Sequence, residues 1–383
     1  MQHEPGNAPM RVLVANIPLP ANRFLADLNE ALGQFCEIVH SSDAFWSMTG
    51  EYDIVHLHFP EYLTYEIETE YRQGLRAKTI DEVEVRLRYW AARAVIVVTR
   101  HVLLPHDAQS DPMWERMYET VYRYADGVVH FARASIDEFH ERYRLNEFHR
   151  QNQRHAVIPH QNYTSLPNGI DRATARKKLG IPGDASVMLV FGSIRGDAER
   201  RLILDTFRRI RQRKPVLLVS RWSERLARVS WIRLKYWLRD GARLYYRLHP
   251  RYHFNYGFIE ETDTQIYLNA ADVLFIPRLR VLNSGNITLG MTFGRVVVGP
   301  DSWDVGEVLR ETGNPVFDPA RPETAAAAMD RGFELARGRK VGEANRQLAV
   351  GHWSAEQCAE RYALFFRELT PRPAVSSMAS TQS

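Results

Sequence analysis

Short apolar runs recur along this chain, separated by stretches in which apolar residues return every three or four positions. Residues 11–17 (RVLVANI), 53–59 (DIVHLHF), 94–99 (AVIVVT), 125–131 (ADGVVHF) and 156–159 (AVIP) form a first set. Residues 23–33 and 135–143 read as amphipathic helices between them, and a longer helical stretch separates the second run from the third. Runs this short and this apolar, alternating with helices, predict parallel strands covered on both faces, a doubly wound α/β sheet. The pattern restarts at residues 187–191 (VMLVF), 215–220 (PVLLVS), 252–256 (YHFNY), 272–276 (DVLFI) and 295–298 (RVVV). Between the two sets, residues 164–186 carry Pro167, Gly169, Gly180, Pro182 and Gly183, a composition suited to a linker around one short helix. A last helical stretch, 354–369, precedes a Ser/Thr-rich tail, 371–383, expected to be disordered. The pattern thus predicts two α/β domains, residues 10–165 and 170–352. Ligands in such sheets bind beyond the carboxyl ends of the strands, so two facing halves imply a cleft lined by strand-end loops.

At 383 residues the chain is long enough for two domains, each with its own core. Its 45% hydrophobic and 25% charged residues exclude a disordered or coiled-coil protein. The two cysteines, Cys36 and Cys358, fit neither a disulfide framework nor a CxxC zinc site. A formal charge of +4 is a mild excess that argues only weakly for nucleic acid or anionic lipid. The first ten residues carry His3, Glu4 and Pro5 where a signal peptide needs a basic and then an apolar stretch. The longest apolar run falls within residues 91–99, short of the roughly 20 residues a membrane span needs. These features read as a cytoplasmic protein that can rest at the inner face of the plasma membrane.

Familiar nucleotide motifs are absent or incomplete. Asn16-Ile17-Pro18-Leu19-Pro20 stands where a dinucleotide site would place G-x-G-x-x-G, which speaks against an NAD or FAD enzyme. Gly285 to Gly290 has P-loop spacing, but Met291-Thr292 follows in place of Lys-Ser/Thr, which excludes a P-loop NTPase. No D-x-D pair occurs to hold a metal-bridged diphosphate, so neither a metal nor another cofactor is expected.

Polar chemistry gathers instead at four strand ends. The first is His56-Leu57-His58-Phe59-Pro60-Glu61-Tyr62, in which the two histidines share one face of the strand and Glu61 follows in the loop. The second is Thr99-Arg100-His101-Val102-Leu103-Leu104-Pro105-His106-Asp107, beyond an almost wholly apolar strand. A neutral imidazole there can donate to a sugar hydroxyl or phosphate, or act as a base, whereas Asp107 can serve simply as a cap. The third is Phe191-Gly192-Ser193-Ile194-Arg195-Gly196, with Arg200 and Arg201 on the helix beyond. Its glycines allow close backbone approach, and Arg195 offers a donor fork suited to phosphate. The fourth is Pro277-Arg278-Leu279-Arg280-Val281-Leu282-Asn283-Ser284-Gly285-Asn286-Ile287-Thr288, where a strand ends and a polar turn opens an apolar helix over residues 287–293. Free N–H groups at that helix start suit a diphosphate, the Ser284 and Thr288 hydroxyls can add donors, and Asn283 or Ser284 can equally act as the cap.

Taken together and in this order, the four segments resemble GT-B glycosyltransferases, in particular bacterial exopolysaccharide transferases of the xanthan β-mannosyltransferase kind. Those carry H-x-H-W-P-E-Y, T-x-H-N-x-x-P-H-E/D, F-G-x-I-R-P-Y-K-G and N-S-G motifs, matched here by His56 to Tyr62, Thr99 to Asp107, Phe191 to Arg195 and Asn283 to Gly285. The resemblance covers roughly residues 11–310. It departs where Phe59 replaces Trp, where Val102 replaces Asn, and where Gly196-Asp197-Ala198-Glu199 replaces Pro-Tyr-Lys-Gly. The lysine that would pair with the donor diphosphate is thus Ala198, leaving Arg195 with Arg200 or Arg201 as substitutes. The paired glutamates of the large retaining GT-B family fall at Val281 and Leu289, which favours the inverting group.

The resemblance implies a GT-B fold of two Rossmann-like domains, with helix 353–370 packing back on the first. It also implies metal-independent, inverting transfer from a nucleotide-diphosphate sugar, GDP-mannose by analogy, to a glycan or lipid-linked saccharide in bacterial polysaccharide synthesis. The nucleotide would sit mainly on the second half, with residues 257–261, Phe258 and Ile259 among them, near the base. Arg195 and the Ser284–Asn286 amides would face the diphosphate, and His101 would orient the donor. Glu61 is the first candidate for the base, followed by His106 and Asp107. Residues 223–248 form a long basic stretch rich in Trp, Tyr and Arg, suited either to packing as a solvated helix or to lying on anionic lipid. Residues 72–93 offer a second basic patch. Two other functions compete: a GT-B-like protein that binds a nucleotide sugar without transferring it, and a nucleic-acid binder using the same Arg and Tyr residues. The second leaves the loop clusters without a role.

Overall fold

A computed structural model describes residues 9–19, 22–106, 108, 110–143, 153–222 and 243–370. The chain divides into two units. One gathers Met1–His130, Tyr143–Ile158 and Ala359–Ser383; the other gathers Phe131–Arg142 and Pro159–Cys358. Neither unit is one continuous stretch. The Ala134–Arg142 helix falls in the second unit, where the amides of Arg133 and Ala134 donate to the Glu307 carboxylate at 3.0 and 2.5 Å. Residues 371–383, read as a disordered tail, and most of the basic aromatic stretch, 223–242, lie outside the described residues.

In the first unit, β1 (Arg11–Val14), β2 (Glu37–His40), β3 (Ile54–Leu57), β4 (Val95–Thr99), β5 (Gly127–His130) and β6 (Arg154–Val157) form a parallel sheet ordered β2-β1-β3-β4-β5-β6. Val12, Leu13, Ile54, Val55, Val97 and Val128 are wholly buried, as central strands covered on both faces require. β2 escaped the pattern because its EIVH sequence is an edge strand with both ends exposed. The Ala77–Ala91 helix buries Ile80, Val83, Leu87 and Trp90, whose spacing marks one helix face. From Ala359 on, the Ala355–Leu369 helix belongs to this unit. Gly127 admits it, since a Cβ there would collide with Phe365 and Leu369.

In the second unit, β7 (Ser186–Ser193), β8 (Pro215–Arg221), β9 (Tyr252–Phe254), β10 (Val273–Phe275), β11 (Val296–Pro300) and β12 (Val316–Phe317) form a parallel sheet ordered β12-β11-β10-β7-β8-β9. Residues 164–186 are not a linker. Leu166, Ala175, Ile181 and Ala185 enter this unit's core around the Arg172–Leu179 helix. Buried Arg176 donates to the carbonyls of Ala270, Gly183 and Ala185 and pairs with Asp272 at 3.0 Å. The Gly and Pro residues mark the turns around that helix, and composition alone does not distinguish such turns from a linker.

Each strand order reverses once. The reversal lies between β1 and β3 in the first unit and between β7 and β10 in the second. In open parallel sheets such a switch point leaves a crevice outside the carboxyl ends of the two strands. Among the described residues no helix is long and apolar enough to cross a membrane.

Candidate functional site

The first unit's switch point is held by Asn16, immediately beyond β1. Its Oδ1 accepts from the His58 amide at 3.0 Å, and its Nδ2 donates to the Phe59 carbonyl at 2.8 Å. One fully buried side chain therefore fixes the loop after β3 against the loop after β1. Asn16 occupies the place of the glycine turn of a dinucleotide site, and the sequence reading noted it only as a departure from that motif.

From that loop a row of imidazoles runs through the unit. His56 Nε2 lies 2.8 Å from Thr99 Oγ1, which lies 3.1 Å from the hydroxyl of Tyr362 on the last helix. The rings of His56 and His58 are 4.1 Å apart, and His58 Nδ1 lies 3.0 Å from His101 Nε2. His101 is stacked on Phe59 at 4.1 Å and meets the edge of Phe24 at 4.9 Å. Phe59, which replaces a motif Trp, thus keeps the aromatic wall on which His101 rests. Burial pushes His56 down to about 3, and burial followed by the neighbouring histidines pushes His58 well below its usual range. The three imidazoles and Phe24 are buried and Phe59 is half-buried, so these rings position one another.

Glu61 lies in a single 3-10 turn, Pro60–Tyr62, that β3 leads into. The Tyr62 carbonyl, at its end, accepts from the Ile17 amide at 2.9 Å, so this turn also belongs to the switch point. Glu61 is buried, its Oε2 accepts from the Tyr118 hydroxyl at 2.8 Å, and burial pushes its carboxyl up to about 7. Tyr118 comes from the Pro112–Tyr124 helix and carried no sequence signal of its own. His106 is exposed, while His101 points inward, so the second segment divides between surface and interior. Asp107 lies outside the described residues.

In the second unit, β7 runs into Gly192, whose φ of +91° favours glycine and whose amide donates to Ser220 Oγ at 2.7 Å. Ser193 ends the strand, and Gly196 caps the Asp197–Arg209 helix with nothing close to where a Cβ would lie. The Arg195 amide donates to Glu199 Oε2 at 2.9 Å, and Glu199 Oε1 pairs with Arg278 Nε at 3.3 Å. Arg278, from the fourth segment after β10, is thereby brought to the loop that lacks the motif lysine, a role its sequence position did not show. Of the suggested substitutes for that lysine, Arg200 pairs with Asp197 at 2.8 Å, and Arg201 lines a surface cavity with Ala198, Leu279 and Pro322.

The fourth segment meets the third. Asn286 Nδ2 donates to the Phe191 carbonyl at 2.8 Å, which ties the start of the Gly285–Thr292 helix to the end of β7 across the switch point. Ser284 is the N-cap residue and Asn283 precedes it, but the Ser284 side chain makes no capping bond. The first amides of this helix have no partner within it. Thr288 does not add a donor there: its hydroxyl is bonded to the Gly285 carbonyl and lies 3.2 Å from His160 Nδ1. Gly285 is required by close approach, since a Cβ would lie 2.6 Å from Tyr163 Oη and 3.3 Å from His160 Nε2. Burial pushes His160 down to about 4. Phe258 is exposed and Ile259 partly so, in the loop after β9.

No family model and no curated protein matches the sequence. Solved structures do match. Sucrose-phosphate synthase from Thermosynechococcus elongatus aligns with 95% of this chain and 99% of its own, at 16% identity and a TM-score of 0.64. HepE of Anabaena, solved in complex with UDP-glucose, aligns with 94% of this chain and 100% of its own, at 13% identity and a TM-score of 0.66. An α,α-trehalose-phosphate synthase (UDP-forming) from Burkholderia xenovorans, solved with glucose-6-phosphate, covers 93% of this chain and 79% of its own, at 13% identity and 0.58. With its two parallel six-stranded sheets, each flanked by helices, the chain has the fold of the GT-B glycosyltransferases.

Proposed function

We propose that this protein is a glycosyltransferase that moves a sugar from a nucleotide-diphosphate donor to a hydroxyl of a glycan or lipid-linked saccharide, with inversion and without a metal ion. The observation that carries this reading is the bond from Asn286 to Phe191, which brings an uncapped helix start beside the Gly192–Arg195 turn at the second sheet's switch point. In this reading the Gly285 and Asn286 amides, the helix dipole and Arg195 hold the leaving diphosphate, and fixed dipoles stabilise the charge developing on it. Arg278, held through Glu199, supplies further positive potential in place of the lysine lost at position 198. His101 orients the donor sugar, steadied by His58 and Phe59.

On the first unit we assign the acceptor-activating base to Glu61. A carboxyl raised to about 7 is matched to proton abstraction near neutral pH. Inversion is favoured by Val281 and Leu289, which stand where retaining relatives carry glutamates. The motif resemblance points to GDP-mannose, and UDP-glucose is the donor present in the HepE structure. Donors of both kinds therefore enter the first assay.

A second reading, a nucleotide-sugar-binding protein without transfer, is favoured by Ala198 and by the glutamates replaced at Val281 and Leu289. Incubation with labelled GDP-mannose and UDP-glucose, without metal, separates the two. Sugar transfer or slow donor hydrolysis that disappears in Arg195→Ala supports the transferase. Donor binding without any release of nucleotide diphosphate supports the binder.

A further inference from the structure

A cavity of about 400 Å³ opens at the amino-terminal edge of the second unit's sheet, beside Asp272, just before β10, and Val296, the first residue of β11. Because all strands of this sheet run parallel, it lies at the edge opposite the Arg195 and Ser284 loops. Its walls are strongly cationic. Arg295 donates through Nε to the Phe293 carbonyl at 2.8 Å and through Nη1 to the Ala271 carbonyl at 3.0 Å. Arg346 donates to the Thr292 carbonyl at 3.0 Å, and Arg172 and Arg339 complete the lining.

Two carboxylates share the cavity and do not balance it. Asp272 is already held by Arg172 at 2.7 Å and by buried Arg176 at 3.0 Å. Among the described residues Glu343 forms no ion pair with these arginines, and no carboxylate pairs with Arg295, Arg339 or Arg346. Burial, and the charges of Arg172, Arg176 and Arg346 set against Asp272, push Arg295 down to about 10. The 13-residue Lys340–His352 helix also begins here. Its N-cap residue, Arg339, has a φ of 59° and makes no side-chain cap, and Gly342 in its first turn lies too close to the Gly294 carbonyl to carry a Cβ.

We propose that this cavity binds a phosphate-bearing anion at a site separate from the donor loops, with Arg295, Arg339, Arg346 and the first amides of the Lys340–His352 helix as its ligands. Guanidinium forks carrying no carboxylate and an uncapped helix start match phosphate oxygens in charge and geometry. A space of this size exceeds one phosphate and suits a diphosphate or a sugar phosphate.

The test uses the full chain carrying Arg195→Ala, which weakens binding at the donor loops, titrated calorimetrically with pyrophosphate and with glucose 6-phosphate. Adding Arg339→Gly and Arg346→Gln removes two cations, and glycine suits the left-handed backbone at position 339. Binding of either ligand, weakened about tenfold or more by that pair in a protein that still unfolds cooperatively, is the expected result. The tighter ligand then identifies the source as a free diphosphate or a sugar phosphate. No binding of either at millimolar concentration, or binding that survives the paired substitution, overturns the proposal. Because Arg339 and Arg346 line the cavity at the edge opposite the donor loops, the weakening caused by this pair reads the cavity whether or not the transferase reading holds.

Discussion

The Tyr118 hydroxyl donates to Glu61 Oε2 at 2.8 Å, with both side chains buried in the first unit. Burial raises the Glu61 carboxyl to about 7, and the Tyr118 bond works against that rise by favouring the ionised form. A base must be ionised to act, so kcat/KM should climb through about pH 7 on the acid side of its profile. Tyr118→Phe should move that limb to higher pH. Glu61→Gln should lower transfer by about 10²–10⁴ while leaving donor affinity nearly intact. Unchanged turnover in Glu61→Gln removes this residue from the mechanism.

The buried imidazoles set a second pH dependence, in stability. Folded His56 resists protonation down to about 3, whereas in the unfolded chain it protonates near 6.5. Its contribution is whole above pH 6.5 and is lost as pH falls toward 3. Glu61 acts with the opposite sign: it favours the fold most below 4.5 and loses that contribution as pH rises through about 7. On going from pH 5 to pH 8, the urea midpoint should therefore rise less, or fall further, in His56→Gln than in the wild-type protein. An identical pH dependence in the two would show that burial does not hold this ring neutral.

Asn16 ties two loops with one amide. Asn16→Ala leaves the buried His58 amide and Phe59 carbonyl without their partner, at a cost of about 2–4 kcal/mol. Asn16→Asp sets a buried carboxylate oxygen against the Phe59 carbonyl, so it should cost at least as much as the alanine, about 2–4 kcal/mol or more. Denaturant unfolding of the two variants checks both figures, and equal stability of Asn16→Ala and wild type would contradict the assigned role.

Gly285→Ala places a methyl group against Tyr163 and His160. The displaced helix start should cost about 1–3 kcal/mol and weaken nucleotide binding by more than Gly196→Ala, where space is open. Paired thermal unfolding and nucleotide titration of the two alanine variants read both effects.

Much of the fold was legible because the buried strands are β-branched and continuous: VIVVT and RVVV cannot be mistaken for solvated loops. The edge strand EIVH and the two-residue strand Val316–Phe317 carried too little pattern to register. Residues 164–186 misled because glycine and proline mark turns whether or not the intervening helix enters a core. At the site, the histidine row and the Asn283–Asn286 turn were visible as polar residues at strand ends. Tyr118 was not, and the roles of Asn16 and Arg278 were not, since each acts through a partner distant in sequence and only the fold brings them together.

The most direct test of donor binding at the second switch point is a metal-free titration of the wild-type protein and Arg195→Ala with GDP, UDP, ADP and dTDP, read by thermal unfolding. A nucleotide at ~100 times its dissociation constant should stabilise the wild-type fold by about 2.7 kcal/mol, and Arg195→Ala should bind it about tenfold or more weakly. No stabilisation by any of the four at millimolar concentration, or equal stabilisation of both proteins, would contradict a diphosphate held by Arg195 and the Gly285–Thr292 helix start.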